Sequence, residues 1–186
     1  MEIGKTLYLT ERPAWRAWLS EHHRSEPEIW LVYYKKHTGE PRIAYNDAVE
    51  EALCFGWIDS IVKKLDESRT AQRFSPRKAG SGYSQTNIER LRRLAGQELI
   101  MPEVLADLGD LLAQEYVYPA DIMAALQADQ EAWRHFQSYS GAYRRIRVAY
   151  VDAGRGRPGE FEKRLANLIK KTAAGKQFGF GIEDYY

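Results

Sequence analysis

Two runs rich in β-branched and aromatic residues, WIDSIVKKL over 57–65 and TAQRFSP over 70–76, are separated by the polar residues DESR. Strand-forming runs joined by a short polar turn pair antiparallel, so this spacing predicts a β-hairpin. Pro76 has no N–H for a ladder, so the second strand stops there or runs at an edge. A third run, EIWLVYYKK over 28–36, carries apolar groups on both alternating faces and predicts a central strand. Before the hairpin, Thr10 reads as the cap of a helix with Ala14, Trp15, Trp18 and Leu19 on one face. Asp47 and Glu50 read as a capping box for a helix carrying Ala48, Val49, Ala52 and Leu53, which Gly56 terminates.

After the hairpin the pattern turns helical. SQTNIERLRRLAG puts Ile88, Leu91, Leu94 and Ala95 on one face, and Pro102 and Pro119 stand where first-turn prolines belong. Asp129 opens another helix, and Tyr143, Ile146, Ala149 and Tyr150 form one stripe of the next. The last helix, EFEKRLANLIKKTAAG, has acids at its start and Lys170 and Lys171 near its end, as the helix dipole prefers. The chain is therefore α+β: a small antiparallel sheet with flanking helices in the N-terminal half, 1–97, and a helical C-terminal half, 98–186. The break at GQELIMP is short, which suits one compact unit or two closely packed subdomains.

A hydrophobic content of 44% fits one folded core, and 27 Lys and Arg against 26 Asp and Glu leave a net charge of +1. That balance lacks the field of a dedicated nucleic-acid binder, so any basic site is local. The single cysteine, Cys54, excludes an internal disulfide and a cysteine-rich zinc site, and reads as a buried, inert thiol. The start MEIGKTLYLTERPAW has no signal-peptide core, and no run approaches the roughly 20 apolar residues of a membrane helix. A cytoplasmic protein without membrane insertion is expected. His22, His23, His37 and His135 lack the spacing of a zinc pair, and no P-loop pattern occurs, so neither metal nor cofactor is expected.

Chemistry concentrates between residues 57 and 87. On the first hairpin strand Trp57, Asp59 and Ile61 share one face, opposite Ile58, Ser60 and Val62; on the second, Arg73 and Ser75 share a face. A short turn brings Arg73 or Ser75 across from Asp59, and an Asp59–Arg73 pair would hold the guanidinium fork for an anion. The loop SPRKAGSGYSQTN adds Arg77, Lys78 and Tyr83 and ends at a helix start, where Ser84, Asn87 and backbone N–H groups form a cradle for a carboxylate or phosphate. The bland alternative is that Asp59 satisfies Arg73, Ser84 only caps its helix, and Arg77 and Lys78 are surface charge.

ALCFGWIDS, then RFSPRKAGSGYSQTNIERLRRL, then a basic helix and a GKQFG tail resemble the YdeI/OmpD-associated family, also labelled bacteriocin-protection proteins. The matching positions are Gly56, Trp57, Asp59, Ser60, Arg73, Phe74, Pro76, Arg77, Lys78, Ser84 and Asn87. The resemblance implies a protective phenotype rather than a reaction, and it carries over no catalytic residue. Where relatives read Ala-Lys-Arg-x-Glu-Thr-Arg, this chain has DAGRGRPGEFEKR at 152–164.

Three readings follow. In the first, the protein binds a small anionic ligand or an acidic group of a partner, with Arg73, Arg77 and Lys78 supplying charge, Ser84 and Asn87 orienting it, Trp57 and Tyr83 as walls, Asp59 positioning Arg73, and Ser75 a further ligand-binding residue. In the second it is an enzyme using Asp59. In the third, Arg77, Lys78, Arg90, Arg92, Arg93 and the RRIR stretch at 144–147 meet nucleic acid or a protein, against which the near-neutral charge argues.

Overall fold

The computed structural model describes residues 2–78 and 80–186. Two compact units emerge: the chain up to Gly82 together with Arg90–Leu112, and Tyr83–Glu89 together with Ala113–Tyr186.

The first unit holds a four-stranded sheet of β1 (Thr6–Leu7), β2 (Ile29–Tyr34), β3 (Trp57–Lys64) and β4 (Arg69–Pro76), in the order β1-β2-β4-β3. The hairpin forms as its residue types dictate, β4 stops at Pro76 opposite Trp57, and β2 lies between two neighbours. The two-residue β1 adds a parallel pairing, with Thr6 opposite Trp30. Helices α1 (Arg12–His22) and α2 (Tyr45–Cys54) belong to one face of this sheet. Trp15 meets Phe74 edge-on at 5.5 Å, Trp18 meets Trp57 at 5.9 Å, and Trp15 Nε1 donates to Ala48 O at 3.0 Å. Trp15, Leu19, Ile29, Leu31, Trp57 and Phe74 are buried, each such side chain contributing roughly 1.5–3 kcal/mol of transfer free energy.

The helix starts differ from the local capping signals. Glu11, not Thr10, precedes α1, and α2 begins at Tyr45 with no side-chain cap. Asp47 and Glu50 form no capping box: both turn to Arg12, whose Nη1 is 3.1 Å from Asp47 and 3.0 Å from Glu50. Glu51 accepts from Arg12 Nε at 2.6 Å and Arg16 Nη1 at 2.7 Å, and Glu50 also accepts from Arg93 of α3 (Gln85–Gly96). A cap contributes about 1 kcal/mol, whereas Glu50 and Glu51 are each only 2% exposed. Leaving such carboxylates without cations would cost several kcal/mol, so the tertiary pairing prevails. Gly56 does end α2: its φ of +71° lets its N–H reach Leu53 O at 3.2 Å. A short helix α4 (Pro102–Leu108) completes this unit.

The second unit is built from α5 (Ala120–Gln127), α6 (Gln130–Ser138), α7 (Gly141–Asp152) and α8 (Glu160–Ala173). Asp129 caps α6 through Ala132 N at 2.9 Å, as its position predicts, and Ser140 caps α7 through Tyr143 N at 3.1 Å. Ile122, Leu126, Phe136, Val148, Val151 and Leu168 form its core. The buried arc of α7 is wider than the expected stripe and rotated from it: Tyr143 and Ile146 are buried, Tyr150 is 44% exposed, and Arg147, Val148 and Val151 are buried. The cause is cover from a second side. Residues 176–186 fold back on α7, Tyr143 Oη accepting from Phe178 N at 2.9 Å and Ser140 Oγ donating to Tyr185 O at 2.5 Å.

Two outcomes test this fold by urea denaturation. Glu51→Ala removes the shared acceptor of Arg12 and Arg16, and because both arginines stay about a third exposed it lowers stability by about 2–3 kcal/mol, below the full cost of a buried broken pair. Gly56→Ala places a Cβ 3.3 Å from Val104 at a left-handed position and costs roughly 1–2 kcal/mol.

Candidate functional site

The ladder settles what Asp59 meets. Asp59 pairs with Phe74 and Ile58 with Ser75, so Asp59 lies on the helix-covered face and Arg73 on the other. The expected Asp59–Arg73 pair does not form. Arg73 lies opposite Trp30, its Nε donates to Glu28 Oε2 at 2.6 Å, and Nη1 reaches Ser75 Oγ at 3.2 Å. Trp30 Nε1 donates to the other Glu28 oxygen at 2.8 Å, and this bond first, then Arg73, holds the Glu28 carboxyl below its ordinary value. Between Asp59 and Val62 the pairing shifts by one residue, a bulge that ends the simple alternation expected for Ile61 and Val62.

On the helix-covered face Asp59 Oδ2 accepts from Gln72 Nε2 at 2.7 Å and from Tyr45 Oη at 3.2 Å. Gln72 is buried on the neighbouring strand, and Tyr45 opens α2. Burial nonetheless outweighs these two bonds, a third from the residue's own backbone N–H and the charge of Arg90, and pushes the Asp59 carboxyl above its ordinary value. The same burial, reinforced by Asp59, pushes the Tyr45 phenol up to about 12. Tyr33, on the same face of β2, is 7% exposed, and its hydroxyl finds no hydrogen-bond partner among the described residues. Burial first and Asp59 second raise its phenol as well. Arg90 of α3 donates from Nη2 to Asn46 Oδ1 at 2.9 Å, fixing a cation beside this group.

Asp59, Tyr45, Tyr33, Gln72 and Arg90 thus gather a carboxylate, two phenols, an amide and a guanidinium. Sequence reasoning found Asp59 and missed Tyr33, Tyr45 and Gln72. Alternation along EIWLVYYKK and TAQRFSP placed the tyrosine and the glutamine on faces, but only the register places them beside Asp59.

The other expected site residues have different surroundings. Trp57 is core, its Nε1 donating to His23 O at 3.0 Å. Arg77 Nη2 turns back on Ser81 O at 3.0 Å and Gly82 O at 2.9 Å, so its fork holds its own loop. Lys78 is exposed, and Ala79 of the same loop lies outside the described residues. In the second unit Ser84 Oγ accepts from Asn87 N at 3.3 Å, which is a helix cap, and Tyr83 is half-buried. The arginines of the interaction reading are also engaged: Arg92 Nε donates to Leu112 O at 2.9 Å, Arg93 pairs with Glu50, and Arg145 binds Glu89 through two bonds of 2.7 Å. Cys54 is buried, and its thiol is pushed up to about 11 by burial, as befits an inert group. Among the described residues no three His, Cys, Asp or Glu side chains converge as metal ligands, and no helix is long and apolar enough to cross a membrane.

Residues 7–107 match the family model described as Domain of unknown function (DUF8412), and residues 115–175 match the one described as Bacteriocin-protection, YdeI or OmpD-Associated. No curated protein and no solved structure matches the chain. The Gly-Trp-Ile-Asp-Ser and Phe-Ser-Pro-Arg-Lys segments, with the whole Asp59 cluster, fall inside the first match, whereas the YdeI/OmpD-associated match covers α5 to α8. The chain therefore belongs to the DUF8412 family over its first half and carries, at residues 115–175, a domain of the YdeI/OmpD-associated, bacteriocin-protection family.

Proposed function

We propose that this is a cytoplasmic, bacteriocin-protection-type protein that works by binding, and that its first unit holds a small polar molecule at Asp59. One observation carries the reading: Asp59, a half-buried carboxylate with no cation at contact distance among the described residues, shares a sheet face with the buried phenol of Tyr33, which finds no hydrogen-bond partner among them. An unmet buried polar group costs about 1–3 kcal/mol. A ligand that donates to Asp59 and offers an acceptor to Tyr33 recovers both costs, with Arg90 favouring an acceptor that is negatively charged. The basic loop at 77–82 supports an anion less well, because Arg77 already holds its own backbone.

A second reading has one observation in its favour. A carboxyl with a raised pKa retains its proton closer to neutrality and serves as a general acid, so Asp59 suits catalysis better than an Arg-paired aspartate would. Conversion of a bound hit by the wild type, lost in Asp59→Asn, selects this reading over plain binding.

The test is a thermal-shift screen of amino acids, sugars, nucleotides and cell-wall precursors, followed by titration of hits into variants. A hit weakens at least ~10-fold in Asp59→Asn and ~3-fold or more in Tyr33→Phe, as expected for hydrogen bonds to charged and neutral groups. The same Asp59→Asn variant is more stable than wild type at pH 7. The sign follows from the raised folded-state pKa: the stability Asp59 contributes is present below its unfolded value and lost as pH rises through its folded value. The advantage of Asn therefore disappears as pH falls below the ordinary carboxylate range. A hit bound equally by wild type and both variants, or no hit at all, sinks the proposal.

A further inference from the structure

Among the described residues, the helical unit contains a charge that no acid in it answers. Arg147, on α7, is 6% exposed. Among the described residues it donates no hydrogen bond and pairs with no carboxylate, and its Nε is fully buried without a partner. Its neighbour Arg145 shows what this helix does with an arginine when an acid is present, gripping Glu89 through two N–H bonds. The ionisable groups that act on Arg147 are the phenols of Tyr143, Tyr150 and Tyr186 and a second cation, Arg164.

Rings occupy the guanidinium instead. Its central carbon is 3.9 Å from the centroid of Phe178 and 4.7 Å from that of Tyr150. Arg164 lies 4.0 Å from the same Tyr150 ring, held by Glu160 at 2.8 Å and by Tyr150 O at 2.8 Å. Cation–π contacts contribute about 0.5–2 kcal/mol each, but they act on the face of the guanidinium and leave its in-plane N–H donors without an acceptor among the described residues. Phe178 and Gly179 close over that region, with Gln177 next to them in the chain. Gln177 Nε2 is buried without a partner, and Gly179, at φ +138°, brings the chain so near that a Cβ there would lie 3.2 Å from Arg147 Nη1.

We propose that Arg147 anchors a binding site for a small free oxyanion, a carboxylate or phosphate, seated on its N–H edge and supported by the charge of Arg164 and the amide of Gln177. A planar fork meets such an anion through two parallel charge-assisted bonds. The near-complete cover of Arg147 excludes a folded protein surface, which limits the occupant to a small ion. The site belongs wholly to the helical unit and is independent of Asp59.

The experiment uses the full chain in chloride buffer, titrated separately with inorganic phosphate and with acetate, and reads both the Arg147 Nε–Hε resonance and the thermal midpoint. One of the two anions shifts that resonance saturably, while Arg155, paired at the surface with Asp121, stays unmoved as the control. The same anion raises the midpoint of wild type, does not raise that of Arg147→Met, and binds Arg147→Lys at least ~10-fold more weakly because the fork is gone. Failure of both anions to move the resonance saturably overturns the proposal and leaves Arg147 as a clamp for residues 177–179. An equal midpoint rise in Arg147→Met overturns it too. Should Arg147→Met not fold, the wild-type resonance alone decides.

Discussion

The two-residue period of a β-strand lets no side chain serve both faces, and the pairing of Asp59 with Phe74 fixes which groups meet in the first unit. Moved by one residue, β3 would place Asp59 beside Arg73 and make an ordinary ion pair. In the observed register Arg73 goes to Glu28 on one face, while Asp59 is turned under α1 and α2, where only phenols, an amide and a more distant guanidinium await it. The bulge after Asp59 absorbs the extra residue, so the strand keeps its pairing beyond the site.

Elsewhere the chain is strict about buried charge. Glu50, Glu51 and Glu89 are almost fully buried, and each is met by one or two arginines at contact distance. Against that standard Asp59 and Arg147 stand apart, one in each unit: among the described residues Asp59 is met by a phenol, an amide and its own backbone N–H but by no cation at contact distance, and Arg147 is met by no acid. The ion pairs of Glu50, Glu51 and Glu89 are completed within the protein, and that is what sets Asp59 and Arg147 apart.

Legibility in the sequence followed the range of the interaction. The hairpin, the central strand and the caps at Asp129 and Ser84 depend on neighbours within a few positions, and their residue types were enough. The capping box at Asp47 and Glu50 failed because Arg12, 35 and 38 residues away, competes for the same carboxylates. The strand β1 is too short to have a pattern and exists only through its pairing with β2. For the candidate site, Asp59 was visible as a carboxylate on an otherwise apolar strand face, but its partners were not, since they lie on β2, β4 and α2 and meet only through register. Arg147 was hidden differently: inside RRIR it resembles solvated charge, and its burial depends on Phe178, 31 positions later, folding back on it.

The central claim is that Asp59 is held desolvated on its sheet face, and a carbon-13 NMR titration of its carboxyl tests that claim most directly. The account predicts a midpoint above the ordinary aspartate value of 3.8, with the Tyr45 ring resonances following the same transition. A midpoint at or below that value would show that Asp59 is already satisfied by the protein, and would contradict the account.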